Sequence, residues 1–186
     1  NNNRFVGQSL MLICSLGISF LAVAQEPIIV EGAVPNEMAK QEINHYIKTF
    51  DQQMSLYEQY ARKQGLQSKS LFILLWLHHN PQGITQKQLV HKTYSTKQVV
   101  SATLKKWHQK GYLEFQESQT DRREKRILLT PAGRSYAEQI VSPLSQMEEV
   151  ALASLSQSEQ KHLIATSRKY YQSLAEQMTS YFQDKS

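Results

Sequence analysis

The sequence predicts a mainly α fold of the α+β type, mostly helical with a small β component, on three observations. Its 186 residues include only seven glycines and five prolines, too few for the turn-dense pattern of β-sandwiches and barrels. Apolar residues recur at intervals of three and four over several long stretches, as they do in amphipathic helices. Only two short stretches, close together in the second half of the chain, alternate with the two-residue period of strands.

The first 35 residues stand apart from this pattern. Arg4 precedes an apolar run over residues 10–24, which ends in an Ala-x-Ala site, as in a secretory signal peptide. The run is shorter than the roughly twenty residues that a membrane span needs. The chain does not begin with Met, whereas Met38 suits a native start, so the alternatives are an artificially added extension and translation from upstream of the true start. Under each interpretation, residues 1–35 lie outside the fold and end in a linker.

Two helices are predicted next. Apolar residues keep a helical period from Asn36, a suitable N-cap, to a stop at Gly65. The run from Leu71 to Leu77 is apolar without a period, so a buried strand and a buried helix both remain open. The stop at Asn80-Pro81 and the scarcity of β-branched residues favour the helix.

A very short strand and two short helices follow. Residues 83–85 suit the strand, and Thr85 caps a helix that continues to about His91. After a break, Ser95 opens the next helix, and Gly111 ends it in the left-handed conformation that favours glycine. The two helices are therefore joined by a short turn.

A β-hairpin and two helices complete the pattern. Residues 112–115 and 126–130 have the period of strands and flank a polar stretch, which predicts a hairpin with a basic tip. Pro131 suits the first position of a helix that Pro143 bends or interrupts. Residues 156–159 have the spacing of a capping box, which begins the last helix.

The positive charge is concentrated in one internal segment. Residues 85–126 contain ten Lys and Arg against four Asp and Glu, a net charge of +6, whereas the whole chain carries +5. The rest of the chain therefore sums to −1. Such a concentration favours a polyanionic partner, with a solvated basic surface as the alternative.

The order helix, short turn, helix and hairpin within this charged segment is that of a winged helix-turn-helix. In such a domain the second helix enters the major groove of DNA, where short polar and basic side chains of its first turns reach base edges. Gln98 suits adenine, Lys97 suits guanine or phosphate, and Lys105 suits the phosphate backbone. Helix capping is the alternative role for the hydroxyl residues. The predicted recognition residues are Ser95, Thr96, Lys97, Gln98, Ser101 and Lys105.

The hairpin tip carries Arg122 and Arg123, which suit a narrow minor groove, with an aggregation-resistant exposed turn as the alternative. From Asp121 to Thr130 the sequence has an Asp-x-Arg motif and then a strand that ends in Leu-Thr. This stretch resembles the wing of MarR family regulators, and Gly133 follows it as in that family. The resemblance covers about residues 36–181.

The resemblance implies roles that the residue pattern alone does not. Arg123 is then the wing arginine that enters the minor groove, and Asp121 braces the wing through a salt bridge. A homodimer is implied, joined by the first helix and the last two, with repression relieved by a small ligand. Two departures from the family are Trp107, in place of a smaller aliphatic residue, and Tyr94-Ser95, in place of a turn with glycine. The predicted wing contacts are Asp121, Arg122, Arg123 and Lys125.

The expected organisation is an N-terminal extension (1–35), a helical dimerisation region (36–66 and 143–186) and a winged helix-turn-helix DNA-binding domain (67–142). The expected function is sequence-specific regulation of transcription in the cytoplasm, as a repressor that binds a palindromic operator as a homodimer. A pocket for a small aromatic effector is one interpretation of five large side chains, and core packing is the other. These residues are Tyr57, Tyr60, Leu71, Trp76 and Trp107.

Other functional classes have little support. The single cysteine, Cys14, excludes an internal disulfide, and no thiol is present from Asn36 onward. The six histidines lack metal-ligand spacing, and the adjacent His78-His79 suits a helix C-terminus. No phosphate-binding loop or catalytic motif is present, so we expect no enzyme activity, cofactor or metal. The alternative from another class is a secreted or membrane-anchored helical binding protein, targeted by residues 4–25.

Overall fold

The computed structural model describes residues 36–117 and 125–183, so the signal-like extension and the hairpin tip lie outside the described residues. The mainly α fold with one β-hairpin is confirmed. In chain order the elements are α1 (Glu37–Lys63), α2 (Ser68–His79), β1 (Ile84–Thr85), α3 (Gln86–Thr93), α4 (Lys97–Gln109), β2 (Leu113–Glu117), β3 (Lys125–Leu129), α5 (Pro131–Ala153) and α6 (Gln157–Gln183).

The chain divides into two compact units with a boundary after Pro143. Described residues 36–143 form the larger unit, which contains α1 to α4, the three strands and the first half of α5. Residues 144–183 belong to the smaller unit, with the second half of α5 and the whole of α6. No helix in the described parts of the chain has both the length and the apolar character needed to cross a membrane.

Both predicted ends of α1 are confirmed. The Asn36 side chain accepts a hydrogen bond from the Ala39 amide at 2.8 Å, as an N-cap does. At the other end Gly65 has a φ of +70°, and the Leu66 amide donates to the Ala61 carbonyl at 2.8 Å. This bond, with the one from Gly65 to Arg62, forms a Schellman motif that satisfies the last carbonyls of the helix.

The apolar run from Leu71 to Leu77 is a buried helix, so the favoured of the two predictions is confirmed. Six residues of α2 are buried, and they lie on all sides of the helix, which explains why the run has no amphipathic period. The Asn80 side chain donates to the Trp76 carbonyl at 2.7 Å and so closes the helix before Pro81.

The three strands form one antiparallel sheet in the order β1, β3, β2. Leu113 pairs with Leu129, and Ile127 pairs with both Phe115 and Ile84. Alternate residues of β3 face the core, since Ile127 and Leu129 are buried. The very short first strand and the hairpin are therefore confirmed.

The last two helices begin where the sequence predicts. Thr130 precedes Pro131 and caps α5 by accepting a hydrogen bond from the Gly133 amide at 3.0 Å. Of the predicted bend or interruption at Pro143, the interruption does not occur, because α5 continues through Pro143 to Ala153. The capping box that begins α6 joins Ser156 and Glu159 through two reciprocal bonds. Hydrogen bonds from the side chain and the backbone amide of Ser156 lower the pKa of the Glu159 carboxyl.

A close backbone approach joins the end of α4 to the start of α5. The Thr130 amide donates to the Tyr112 carbonyl at 3.0 Å, and the Thr130 hydroxyl donates to the Gly111 carbonyl at 2.6 Å. A Cβ added at Gly133 would lie 2.0 Å from the Tyr112 carbonyl oxygen. Tyr136 then stacks on Tyr112 with ring centroids 4.6 Å apart. Position 133 therefore has space only for glycine.

Gly133→Ala is expected to lower the free energy of unfolding by at least about 3 kcal/mol, because the backbone itself must shift to admit the methyl group. The measurement is urea denaturation followed by circular dichroism. Gly111→Ala is the control, since Gly111 has a φ of +73° but no neighbour within 4 Å of an added Cβ. It should cost only the roughly 1–2 kcal/mol of the left-handed conformation. Equal losses in the two variants would contradict this account.

Candidate nucleic-acid interface

Helix α4 has one buried face and one polar, exposed face. Val100, Leu104 and Trp107 are buried and attach the helix to the larger unit. On the opposite side the predicted recognition residues Lys97, Gln98, Ser101 and Lys105 are all exposed. The spacing of these four residues, at one, three and four, places them on adjoining positions of about two helical turns.

The structure corrects the predicted start of this helix. Thr96, not Ser95, is the N-cap, and its hydroxyl accepts a hydrogen bond from the Val99 amide at 3.3 Å. The Ser95 hydroxyl instead donates to the Thr93 carbonyl at 3.4 Å, so this half-buried side chain belongs to the turn. The sequence missed this because Ser and Thr are equally suitable caps.

The turn between α3 and α4 lacks glycine, yet it contains a left-handed residue. Helix α3 begins with a capping box between Thr85 and Gln88 and extends to Thr93, two residues beyond the predicted end. Tyr94 follows with φ +48° and ψ +37°, a conformation in which residues other than glycine are uncommon. The turn therefore forms at the position expected for a glycine, with a tyrosine in its place.

Lys69, which the sequence analysis did not single out, contacts this turn from α2. Its ammonium donates to the Thr93 carbonyl at 3.0 Å and lies 3.5 Å from the Tyr94 carbonyl. The one signal in the sequence is that a lysine in the first turn of a helix opposes that helix's own dipole. A residue with an unfavourable local position often has a partner elsewhere in the fold.

The wing is described only at its base. Lys125 is the first residue of β3, is exposed, and pairs across the ladder with Glu117. Arg126, another residue that the prediction did not place at the site, donates to the Gln82 carbonyl at 3.2 Å and joins the wing base to the loop before β1. The predicted wing residues Asp121, Arg122 and Arg123 lie outside the described residues.

Most basic side chains of the charged segment that contains α4 are exposed. Within the described part of the charged segment, eight Lys and Arg stand against two acidic residues, Glu114 and Glu117. No carboxylate of the described residues forms a salt bridge with Lys97 or Lys105. The exposed basic residues are Lys87, Lys97, Lys105, Lys106, Lys110, Lys125 and Arg126. The surface is thus electrostatically suited to a polyanion.

The five residues predicted to line a ligand pocket all lie in the larger unit. Four of them are buried core residues: Tyr57, Leu71, Trp76 and Trp107. The fifth, Tyr60, is half-buried and donates to the Ile140 carbonyl at 2.7 Å, and burial raises the pKa of its phenol. Their burial is what core packing requires, and an effector pocket among them stays a prediction.

Two polar features accompany this core. The Lys92 ammonium lies 4.2 Å from the centroid of the Trp76 ring, a cation–π contact, and burial lowers the pKa of this lysine. At the end of α2, His78 lies 3.5 Å from the Glu138 carboxylate. Burial and the neighbouring His79 lower the pKa of His78, against the opposing effect of Glu138. Among the described residues no cluster of three His, Cys, Asp or Glu is suited to a metal ion.

Comparison with known proteins gives one family. Residues 64–124, from the end of α1 to the hairpin tip, match the sequence model of the MarR family. No curated protein matches the chain closely enough to count as a relative. The matched segment contains α2, the turn, α4 and the first strand of the hairpin.

Solved structures resemble this one over most of its length. NMB1585, a MarR family regulator from Neisseria meningitidis, has a TM-score of 0.64 and 22% identity, with 78% of this chain and 99% of that chain covered. Staphylococcus aureus MepR in its DNA-binding conformation has a TM-score of 0.61 and 23% identity, with 71% and 98% covered. The MepR–DNA complex has a TM-score of 0.56 and 22% identity, with 70% and 96% covered. At these identities the likeness establishes a shared fold.

Thr96→Ala is expected to lower the free energy of unfolding by about 1 kcal/mol, because it removes the side-chain acceptor of the Val99 amide in the first turn of α4. Chemical denaturation of the purified chain measures the loss. Thr96→Ser keeps the hydroxyl and should retain most of the stability. A similar loss in both variants would contradict the capping role of Thr96.

Proposed function

We propose that this chain, whose residues 64–124 match the sequence model of the MarR family, is a sequence-specific DNA-binding regulator of transcription. The observation that carries the proposal is the exposed polar and basic face of α4, held on a buried apolar face and preceded by a short turn. A helix in this arrangement presents its first turns to the major groove. The solved complex of MepR with DNA, which has the same fold, supports the proposal.

The contacts divide into two classes. Gln98 is the candidate for base readout, since an amide can both donate to and accept from adenine. Lys97 suits guanine or phosphate, whereas Lys105 and the neighbouring basic residues suit the phosphate backbone. The resemblance of the wing sequence to that of the family assigns Arg123 to the minor groove. It assigns to Asp121 a salt bridge that braces the wing.

A homodimer on an inverted repeat is the second part of the proposal. Exposed apolar side chains on α1 and on α6 support it, because patches of this kind mark interaction surfaces. On α1 they are Tyr46, Ile47, Phe50 and Leu56. On α6 they are Leu163, Tyr170, Leu174, Met178, Tyr181 and Phe182. Two copies would place two α4 helices about one helical turn of DNA apart.

The proposed mode of regulation rests on the resemblance of the sequence to MarR family regulators. A dimer bound across a promoter blocks RNA polymerase, so we propose repression in the cytoplasm, relieved by a small aromatic ligand near Tyr57, Tyr60, Leu71, Trp76 and Trp107. The apolar and aromatic character of these side chains, with one phenol and one cation nearby, is the support for that ligand class.

A selection experiment tests the function. The full chain is incubated with a pool of random duplexes, and the recovered sequences are aligned. A palindromic consensus with half-sites about ten base pairs apart is expected. Fluorescence anisotropy then compares the recovered duplex with a scrambled one at two salt concentrations. Equal affinity for both duplexes would leave only a basic surface and would overturn the proposal.

Gln98→Ala is expected to relax the preference at one position of each half-site, at a cost of roughly 1–3 kcal/mol for the preferred base pair. Repeating the selection with the variant measures the change. Lys105→Ala is the control, since loss of a phosphate contact should weaken binding to all sequences alike. An unchanged consensus for the Gln98 variant would exclude base readout by this residue.

Arg123→Ala is expected to weaken binding and to reduce the slope of log affinity against log salt by about one unit, because one contact with the negative potential of the duplex is lost. Anisotropy titrations over a series of salt concentrations give the slope. If variant and parent have the same slope, Arg123 does not contact DNA and the wing assignment is wrong.

A further inference from the structure

The start of α2 holds the turn that precedes α4. Lys69, in the first turn of α2, donates to the carbonyl of Thr93 at 3.0 Å, and its ammonium lies 3.5 Å from the carbonyl of Tyr94. These carbonyls belong to the C-terminus of α3, the negative end of that helix's dipole. The ammonium is therefore stabilised at α3, although it opposes the dipole of its own helix.

The held turn is strained. Tyr94 has a φ of +48°, and a residue with a side chain adopts this conformation only where neighbouring contacts hold it. Within the segment itself, the amides of Tyr94 and Ser95 both donate to the Val90 carbonyl. The bonds from Lys69 add a contact from a different helix, which fixes the turn relative to the core.

The adjacent residue attaches α2 to α4 itself. The Ser70 hydroxyl lies 3.4 Å from the Thr103 hydroxyl, and both side chains are half-buried. Leu71, next along the chain, is fully buried in the core. Three consecutive residues of α2 thus contact the turn, the side of α4 and the core. A displacement of the turn away from α2 would lengthen the Lys69 bonds, which are already 3.0 and 3.5 Å long.

We propose that Lys69 is a positioning residue for sequence-specific DNA binding. Its ammonium holds the left-handed turn at Tyr94 and so sets the direction in which the first turn of α4 points. Base readout by Gln98 depends on that direction to within a hydrogen-bond length, whereas contacts of long lysines with phosphate tolerate a shift. This inference rests on the proposed function. The competing role for Lys69 is a direct contact with a phosphate.

Anisotropy titrations of the full chain test the proposal with the selected duplex and its scrambled counterpart. Lys69→Met removes the ammonium and keeps the apolar stem. It should lower the affinity for the selected duplex by about tenfold, the effect of one lost charge-assisted hydrogen bond. Affinity for the scrambled duplex and the salt slope should stay unchanged. Lys69→Arg retains a cationic donor and should keep most of the selectivity.

A double variant separates positioning from a DNA contact. Glycine adopts the left-handed conformation without strain, so Tyr94→Gly should make the turn independent of Lys69. The pair Lys69→Met with Tyr94→Gly is therefore expected to recover most of the lost affinity, with Tyr94→Gly alone as the matched control. Amide hydrogen exchange at Tyr94 and Ser95 should be faster in Lys69→Met and unchanged in the buried part of α2.

Three results would overturn the inference. Equal losses on both duplexes, with a salt slope smaller by about one unit, would assign Lys69 to a phosphate. Unchanged selectivity in Lys69→Met would show that the turn is held in place without Lys69. Failure of Tyr94→Gly to restore selectivity, with uniformly faster exchange, would make the effect a general loss of stability. A parent chain that prefers neither duplex would instead refute the proposed function, and the exchange measurement would still report on the turn.

Discussion

Burial of α2 on all its sides is the constraint on which the larger unit depends. The helix contacts α1, α3, α4 and β3, so the elements on both sides of the turn before α4 and one strand of the hairpin pack against it. Each fully buried Leu or Ile contributes roughly 1.5–3 kcal/mol relative to an exposed one, and α2 has several. Because α2 supplies a large share of the buried apolar residues, three buried residues attach α4 to the core, and the opposite side of α4 is exposed.

Local chemistry made most of the fold predictable. The caps at Asn36, Thr85, Thr130 and Ser156 are side chains whose oxygens satisfy the free amides of the next turn, a requirement that depends on nothing outside that turn. The glycine stops at Gly65 and Gly111 follow from backbone sterics in the same way. The exposed face of α4 could also be predicted from the sequence, because the spacing of its apolar residues determines which side is buried.

Contacts between distant residues were not predictable in this way. The bonds from Lys69 to the turn join residues 24 and 25 positions apart, and no period or motif encodes such a pair. The left-handed Tyr94 was expected only as a break, because a tyrosine carries no signal for that conformation. The steric limit at Gly133 was not predictable from local sequence either, because it comes from the carbonyl of Tyr112, the residue before β2. Tertiary packing decided these features.

The order of the sheet has a consequence for solubility. Strand β2 lies at the edge of the described sheet, so one side of its backbone has no partner strand, and the residues from Glu114 to Glu117 are exposed. An open edge with Phe115 at its centre invites a strand from another molecule. Glu114 and Glu117 flank that phenylalanine with negative charge, in a segment that is otherwise basic. Negative charge on an edge strand disfavours pairing with a strand from another molecule. The same two carboxylates reduce the attraction of this edge for a polyanion.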